Sequence, residues 1–247
     1  MHVSVSGERG ARPLLFLHGG GVAGWMWRPT TDRLSSSARM IVPDLPGHGK
    51  SSGEAYASHT RTVNDLADII EGATDRPVTV VGFSLGAQLA VLLGARRPDL
   101  VNAIVAVSAQ AIPTRAPGLT VSVLRVAAPL ARYTWFATMQ ARELRIPTSL
   151  LDDYLHTSRN VSTTTLTAAV GENIRFTAPP EWANFPGRAL VLAGARERGF
   201  MKDSARTLGE LLPGSSVEIV DGCGHGIPLE RPDWFARRLW NFVAPAR

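Results

Sequence analysis

Val78-Thr79-Val80-Val81-Gly82-Phe83-Ser84-Leu85-Gly86-Ala87 decides how this chain folds. Its β-branched start reads as a buried strand, and beyond Ser84 the residues Leu85, Ala87, Leu89, Ala90, Leu92 and Leu93 recur at helical spacing. The chain therefore turns sharply from strand to helix at the serine. Gly82 and Gly86 stand two residues either side of it. In so tight a turn the serine backbone is strained, and the flanking positions must lack a Cβ for strand and helix to approach. The hydroxyl is pushed out above the sheet. The Leu85 amide falls in the first helical turn, where unpaired N–H groups and the positive dipole end suit a developing oxyanion. A G-x-S-x-G pentapeptide alone also fits a helix N-cap serine between turn glycines. The strand before it and the helix after it select a nucleophile elbow instead.

Upstream, Leu14-Leu15-Phe16-Leu17 is a continuous apolar run, as expected of a parallel strand buried on both faces, and Met40-Ile41-Val42 is another. Val3-Ser4-Val5 reads as an edge strand ending in the turn Gly7-Glu8-Arg9-Gly10. The Leu14–Leu17 run leads into His18-Gly19-Gly20-Gly21. With so little side-chain bulk, backbone N–H groups here can approach a ligand, and beside Ser84 the Gly20 amide becomes a second oxyanion donor. A phosphate loop is disfavoured, because the lysine and hydroxyl of G-x-x-x-x-G-K-[ST] are absent. Gly19, Gly21 and Trp25 are expected to line the substrate pocket, and Trp25 and Trp27 to lie in the first helix. Asp44 and His48 sit in the Pro/Gly turn Pro43–Ser51 with no third ligand nearby, so no metal site is expected. Thr62 to Gly72 is a helix with Val63, Leu66, Ala67 and Ile70 on one face.

Downstream, Val101–Val107 is the next strand, and the stretch from Ala109 to Pro186 carries no comparable β-branched run. It reads as helices. Leu119 to Arg145 carries Val123, Leu124, Ala127, Leu130, Trp135, Phe136 and Met139, and Leu150–Thr157 and Leu166–Ile174 follow. An insertion this long packs over the strand ends as a lid, and Trp135, Phe136 and Met139 are expected to form its ceiling over the pocket. The sheet resumes at Arg188–Gly194 and ends with Ser216–Val220, with helices at Ser204–Leu212 and Pro232–Val243. The fold class is α/β: a mostly parallel sheet flanked by helices, with a helical lid inserted before the penultimate strand. Residues 1–108 and 187–247 form the core, and 109–186 the cap.

The chain has 247 residues and is 45% hydrophobic, enough for one large domain. No apolar run approaches a membrane span, and the N-terminus lacks a basic segment followed by an apolar one, so a soluble cytoplasmic protein is expected. Cys223 is the only cysteine, which excludes an intrachain disulfide and a cysteine-based metal site. A net charge of +5 is scattered, so nucleic acid is a poor partner. Lys50 and Lys202 are the only lysines. That arginine bias, with abundant alanine, points to a GC-rich bacterial genome.

A serine hydroxyl needs a base within hydrogen-bond reach, and the base an orienting group. In a parallel sheet these come from loops at the carboxyl ends of later strands. His225 lies in the loop Asp221-Gly222-Cys223-Gly224-His225-Gly226, just past the last strand. Glu197 follows its strand by a short turn and precedes His225 by 28 residues, giving the order serine, acid, histidine. Asp203 and Asp221 compete for the acid role.

Taken in order, His18-Gly19-Gly20-Gly21, Asp44-Leu45-Pro46-Gly47-His48-Gly49-Lys50-Ser51, Gly82-Phe83-Ser84-Leu85-Gly86 and Gly222-Cys223-Gly224-His225 resemble the α/β-hydrolase superfamily. The likeness is to its small single-domain members with a helical cap, over essentially the whole chain. It implies one triad shared by esterases, lactonases, carbon–carbon hydrolases and some lyases. Two departures stand out: Glu197 replaces the family's usual aspartate, and the short N-terminus leaves little room for the first of eight strands. Dehalogenase chemistry is disfavoured, because similar dehalogenases have aspartate at the position of Ser84. The expectation is a carboxylesterase- or lactonase-like serine hydrolase for a small, largely apolar ester or lactone. Ser84, His225 and Glu197 are its catalytic residues, and the Gly20 and Leu85 amides its oxyanion hole. No cofactor or metal is required, and the chain acts as a monomer or homodimer on a small molecule. The alternatives are a carbon–carbon hydrolase or lyase resembling menaquinone-pathway enzymes, and a non-catalytic ligand receptor.

Overall fold

The structure is a computed structural model that describes residues 1–127 and 133–244. In chain order its elements are β1 (Val3–Ser6), β2 (Arg12–Leu17), α1 (Arg28–Leu34), β3 (Ala38–Pro43), α2 (His59–Ala73), β4 (Val78–Phe83), α3 (Leu85–Arg96) and β5 (Val101–Val107). Four helices come next: α4 (Pro117–Ala127), α5 (Thr134–Glu143), α6 (Leu151–Asn160) and α7 (Thr163–Asn173). Then follow β6 (Arg188–Gly194), α8 (Gly199–Leu211), β7 (Ser216–Val220), α9 (Ile227–Glu230) and α10 (Pro232–Val243).

The strands form one sheet in the order β1-β3-β2-β4-β5-β6-β7. Only β1 runs antiparallel to its neighbour, and the other pairings are parallel. The order reverses between β2 and β4, which is where α/β sheets open a crevice at their carboxyl ends. Leu17 pairs with Gly82 across that junction. The glycine loop after β2 and the elbow after β4 therefore leave the sheet side by side.

Both faces of the sheet are covered, as its unbroken apolar strands require. Leu15 and Leu17 point to one side, where α2, α3 and α8 pack around Leu66, Leu89 and Leu208. Leu14 and Phe16 point to the other, against Trp27, Phe235 and Leu239. Truncating a ring such as that of Phe16, fully buried, to alanine costs about 3–5 kcal/mol.

Within Leu119–Arg145, read as helical, the described residues form α4 and α5, and Leu130 lies outside the described residues. Trp25 and Trp27 occupy a short 3₁₀ turn, Gly24–Trp27, ahead of α1, because Pro29 starts the α-helix just after them.

Candidate active site

Ser84 holds φ +53°, a left-handed conformation that costs a non-glycine residue about 1–2 kcal/mol. The surroundings enforce it. A Cβ at position 82 would stand 2.3 Å from the Gly86 carbonyl oxygen, and one at position 86 would stand 2.2 Å from the Leu17 carbonyl oxygen. The two glycines thus let α3 press against both β4 and β2, which fixes where the serine projects.

Three chain-distant side chains meet at that point. Ser84 Oγ lies 3.2 Å from His225 Nε2, and His225 Nδ1 lies 2.6 Å from Glu197 Oε1. A proton on Nδ1 satisfies the carboxylate and leaves the Nε2 lone pair facing the serine hydroxyl. Glu197 is nearly buried and its other oxygen is occupied, accepting from the Gly194 amide at 2.8 Å and the Ser108 hydroxyl at 3.1 Å. The rival carboxylates go elsewhere: Asp203 pairs with Arg206 at 2.7 Å, and Asp221 is exposed.

Ser108 was not foreseen from sequence. It closes β5 at φ +54°, and its hydroxyl also lies 2.9 Å from the His225 carbonyl oxygen, so one buried residue braces both the acid and the histidine loop. His18 is fully buried beneath the glycine loop. Its Nδ1 lies 2.8 Å from the Gly19 carbonyl oxygen, and its Nε2 accepts from the Leu45 amide at 2.8 Å. That pattern requires a neutral ring. Burial and the adjacent His48 lower its pKa to about 3. Asp44 ties the same region together, accepting from the amides of Gly24 and Lys50, while His48 Nδ1 lies 2.9 Å from the Pro46 carbonyl oxygen.

A cavity of about 130 Å³ opens beside Ser84, lined by Gly20, Leu85, Leu166, Ala169, Val170 and Asn173. Gly19 lies behind this loop against Phe83, and Gly21 is its positive-φ turn. The expected ceiling residues are not in the lining. Trp135 is 64% and Met139 49% exposed, and Phe136 packs edge-on against Trp135. α5 instead turns Ala137 and Ala141 inward to the cluster holding Leu150 and Tyr154, and α7 forms the wall at Ser84. Trp25 lines a separate cleft, where its Nε1 donates to Thr157 Oγ1 at 2.9 Å and its ring meets Tyr154 edge-on. Gln88, missed in the sequence, anchors α7 to the elbow helix.

Among the described residues no group of three histidine, cysteine or acidic side chains is placed to hold a metal, and no helix is long and apolar enough to cross a membrane. Fold and site together define an α/β-fold hydrolase. The chain belongs to the alpha/beta hydrolase family, whose profile matches residues 14–238. It is 27% identical over 263 aligned positions to a 2-hydroxymuconate semialdehyde hydrolase of Pseudomonas putida, covering 95% of this chain and 88% of that protein. A 103-residue stretch is 38% identical to Protein PHYLLO, chloroplastic, of Arabidopsis thaliana, covering 38% of this chain. It spans only 6% of that protein's length. Among solved structures, the enol-lactonase of Burkholderia xenovorans LB400 superposes with a TM-score of 0.83 at 20% identity, over 98% of this chain and 95% of that one.

Proposed function

We propose that the protein hydrolyses a small, largely apolar ester or lactone through an acyl-enzyme on Ser84, with residues 109–186 acting as a lid on the core. The observation that carries this reading is the relay from Ser84 Oγ through His225 to Glu197, at 3.2 and 2.6 Å. His225 Nε2 takes the hydroxyl proton as Oγ attacks the carbonyl carbon, and Glu197 stabilises the resulting imidazolium. The Gly20 and Leu85 amides, in the lining beside Ser84, hold the oxyanion. The imidazolium then gives its proton to the leaving oxygen, whose bond to the acyl carbon breaks. Water, deprotonated by the same ring, releases the acid and restores Ser84. The small apolar cavity under Leu166 and Val170 suits a short acyl chain.

Turnover of p-nitrophenyl acetate and butyrate tests this, and Ser84→Ala should lower kcat/KM at least about 10⁴-fold. Equal turnover by the variant would sink the acyl-enzyme. A second reading draws on the relative from Pseudomonas putida, named for a semialdehyde and not for an ester. A hydrolase for such a compound cleaves something other than an ester, so carbon–carbon hydrolysis with Ser84 as nucleophile or proton shuttle is the alternative. Activity toward a vinylogous 1,5-diketone, with none toward the p-nitrophenyl esters, would select it.

A further inference from the structure

We propose that a second cleft, bordering His225, binds a carboxylate on the leaving-group side of the substrate. The inference rests on the hydrolytic reading above. This cleft measures about 620 Å³ and is lined by His225 together with Arg142, Arg145, Arg196 and Arg198. Two arginines come from the end of α5 and the residues after it, and two from the loop between β6 and α8. Four like charges converging on one concavity repel one another, and a cleft focuses their field on whatever enters it.

The two acidic residues in the lining offset only part of that field, since one faces His225 and the other pairs with Arg196, which leaves Arg142, Arg145 and Arg198. Glu197 is committed to His225, Gly194 and Ser108. Glu230 accepts from the Gly224 amide at 2.9 Å and pairs with Arg196 at 2.7 Å. Arg142, Arg145 and Arg198 are exposed, and no carboxylate pairs with them among the described residues. The N-terminal end of α8 adds to the positive field: its first turn has no acidic residue, its N-cap Arg198 makes no side-chain cap, and Phe200 and Met201 there line the cleft. The forked guanidinium matches a carboxylate's two oxygens, which makes arginine the fitting residue type for such a site.

Chemistry gives the cleft its side of the reaction. The leaving group takes its proton from the imidazolium, so it departs along His225. A third of that side chain is solvent-exposed, and this is the cleft it lines. The smaller cavity at Ser84 is walled by Leu166, Ala169 and Val170 and suits an uncharged acyl group. The substrate class is thus an ester whose acyl part is short and apolar and whose alcohol part carries a carboxylate.

The test compares 3-acetoxybenzoate with its neutral analogue 3-acetoxybenzamide, in the wild-type chain and in Arg142→Gln/Arg145→Gln. Both positions are exposed, so folding is checked by Tm alone. The wild type should prefer the benzoate about tenfold or more in kcat/KM. That ratio should shrink with added salt and fall toward one in the double variant. A wild-type ratio near one, or one that the double variant leaves intact, overturns the proposal. Should neither ester turn over, the hydrolytic reading fails by itself and calorimetry reads the subsite directly. 3-Hydroxybenzoate should then bind about tenfold tighter than 3-hydroxybenzamide, through the same arginines, and equal affinities overturn the subsite. Phenyl phosphate binding more tightly than benzoate would overturn the carboxylate assignment in favour of a phosphate.

Discussion

Gln88 in the elbow helix and Asn173 at the end of α7 hydrogen-bond each other in both directions: the Asn173 side-chain amide donates to Gln88 Oε1 at 3.0 Å, and Gln88 Nε2 donates to the Asn173 carbonyl at 3.1 Å. The remaining capacity of the Gln88 amide is filled by His59 Nε2 at 3.0 Å and the Gln110 carbonyl at 2.7 Å. Gln88, His59 and Gln110 are buried, and Asn173 is half-buried. The elbow helix after Ser84 is thereby pinned to the helix that walls the cavity beside it. Gln88→Leu strands several buried polar groups at about 1–3 kcal/mol each, so we expect a loss of about 2–4 kcal/mol in urea unfolding. A loss below 0.5 kcal/mol would show that the pin is not structural.

Glu197 should matter through charge more than through shape. Glu197→Gln preserves the volume but removes the carboxylate that favours the imidazolium, and kcat should fall about 10³–10⁴-fold while KM moves little. Ser108→Ala removes only the brace on Glu197 and on the His225 carbonyl, so about a tenfold fall in kcat is expected, with recovery in Ser108→Thr. An unchanged kcat in Ser108→Ala would make Ser108 a packing residue.

The elbow, the glycine loop and the histidine loop were legible because their signals are local: glycines at fixed offsets report a backbone that tolerates no Cβ. Which carboxylate faces His225 was harder to read. Glu197, Asp203 and Asp221 all follow late strands, and only the packing of β6 beside β5 brings Glu197 under Ser108. The cavity wall was misread for a different reason. Trp135, Phe136 and Met139 attract attention by size, yet small Ala137 and Ala141 mark the inward face of α5, an i,i+4 pair whose role appears only once α6 is beside it. Ser108 gave no signal, since one serine after Val105-Ala106-Val107 is indistinguishable from any strand end.

Acid should destabilise this protein through its buried histidines. His18 is neutral when folded, its pKa lowered by burial and by His48 from 6.5 to about 3. The unfolded chain therefore binds a proton near pH 6.5 that the folded chain refuses until about pH 3. Stability is complete above that window and declines as pH falls through it, by about 1.4 kcal/mol per unit from His18 alone. His48 and His59, also lowered chiefly by burial, act with the same sign. Urea unfolding at pH 7.5, 6.0 and 5.0 should give a steadily smaller free energy, and a flat profile would refute the neutral histidines.

The buried ring of His18 also sets the direction of the Gly20 amide. Because a peptide group is planar and trans, its N–H points opposite to its C=O. The ring holds the Gly19 carbonyl at 2.8 Å, which fixes the plane of the Gly19–Gly20 peptide and turns the Gly20 N–H away from the ring. The Leu45 amide, donating to Nε2, keeps the proton on Nδ1 and thus keeps this hold in place. His18→Leu removes both bonds while filling much of the same space. Losing one oxyanion donor costs about 10²–10³-fold in kcat, and a donor that is loosened but present costs less, so about a ten- to hundredfold fall is expected. The diagnostic lies in the split between parameters: kcat should drop while KM for p-nitrophenyl acetate stays within about twofold, because the oxyanion forms only in the transition state. A rise in KM with unchanged kcat would assign His18 to ground-state binding and remove Gly20 from the oxyanion hole.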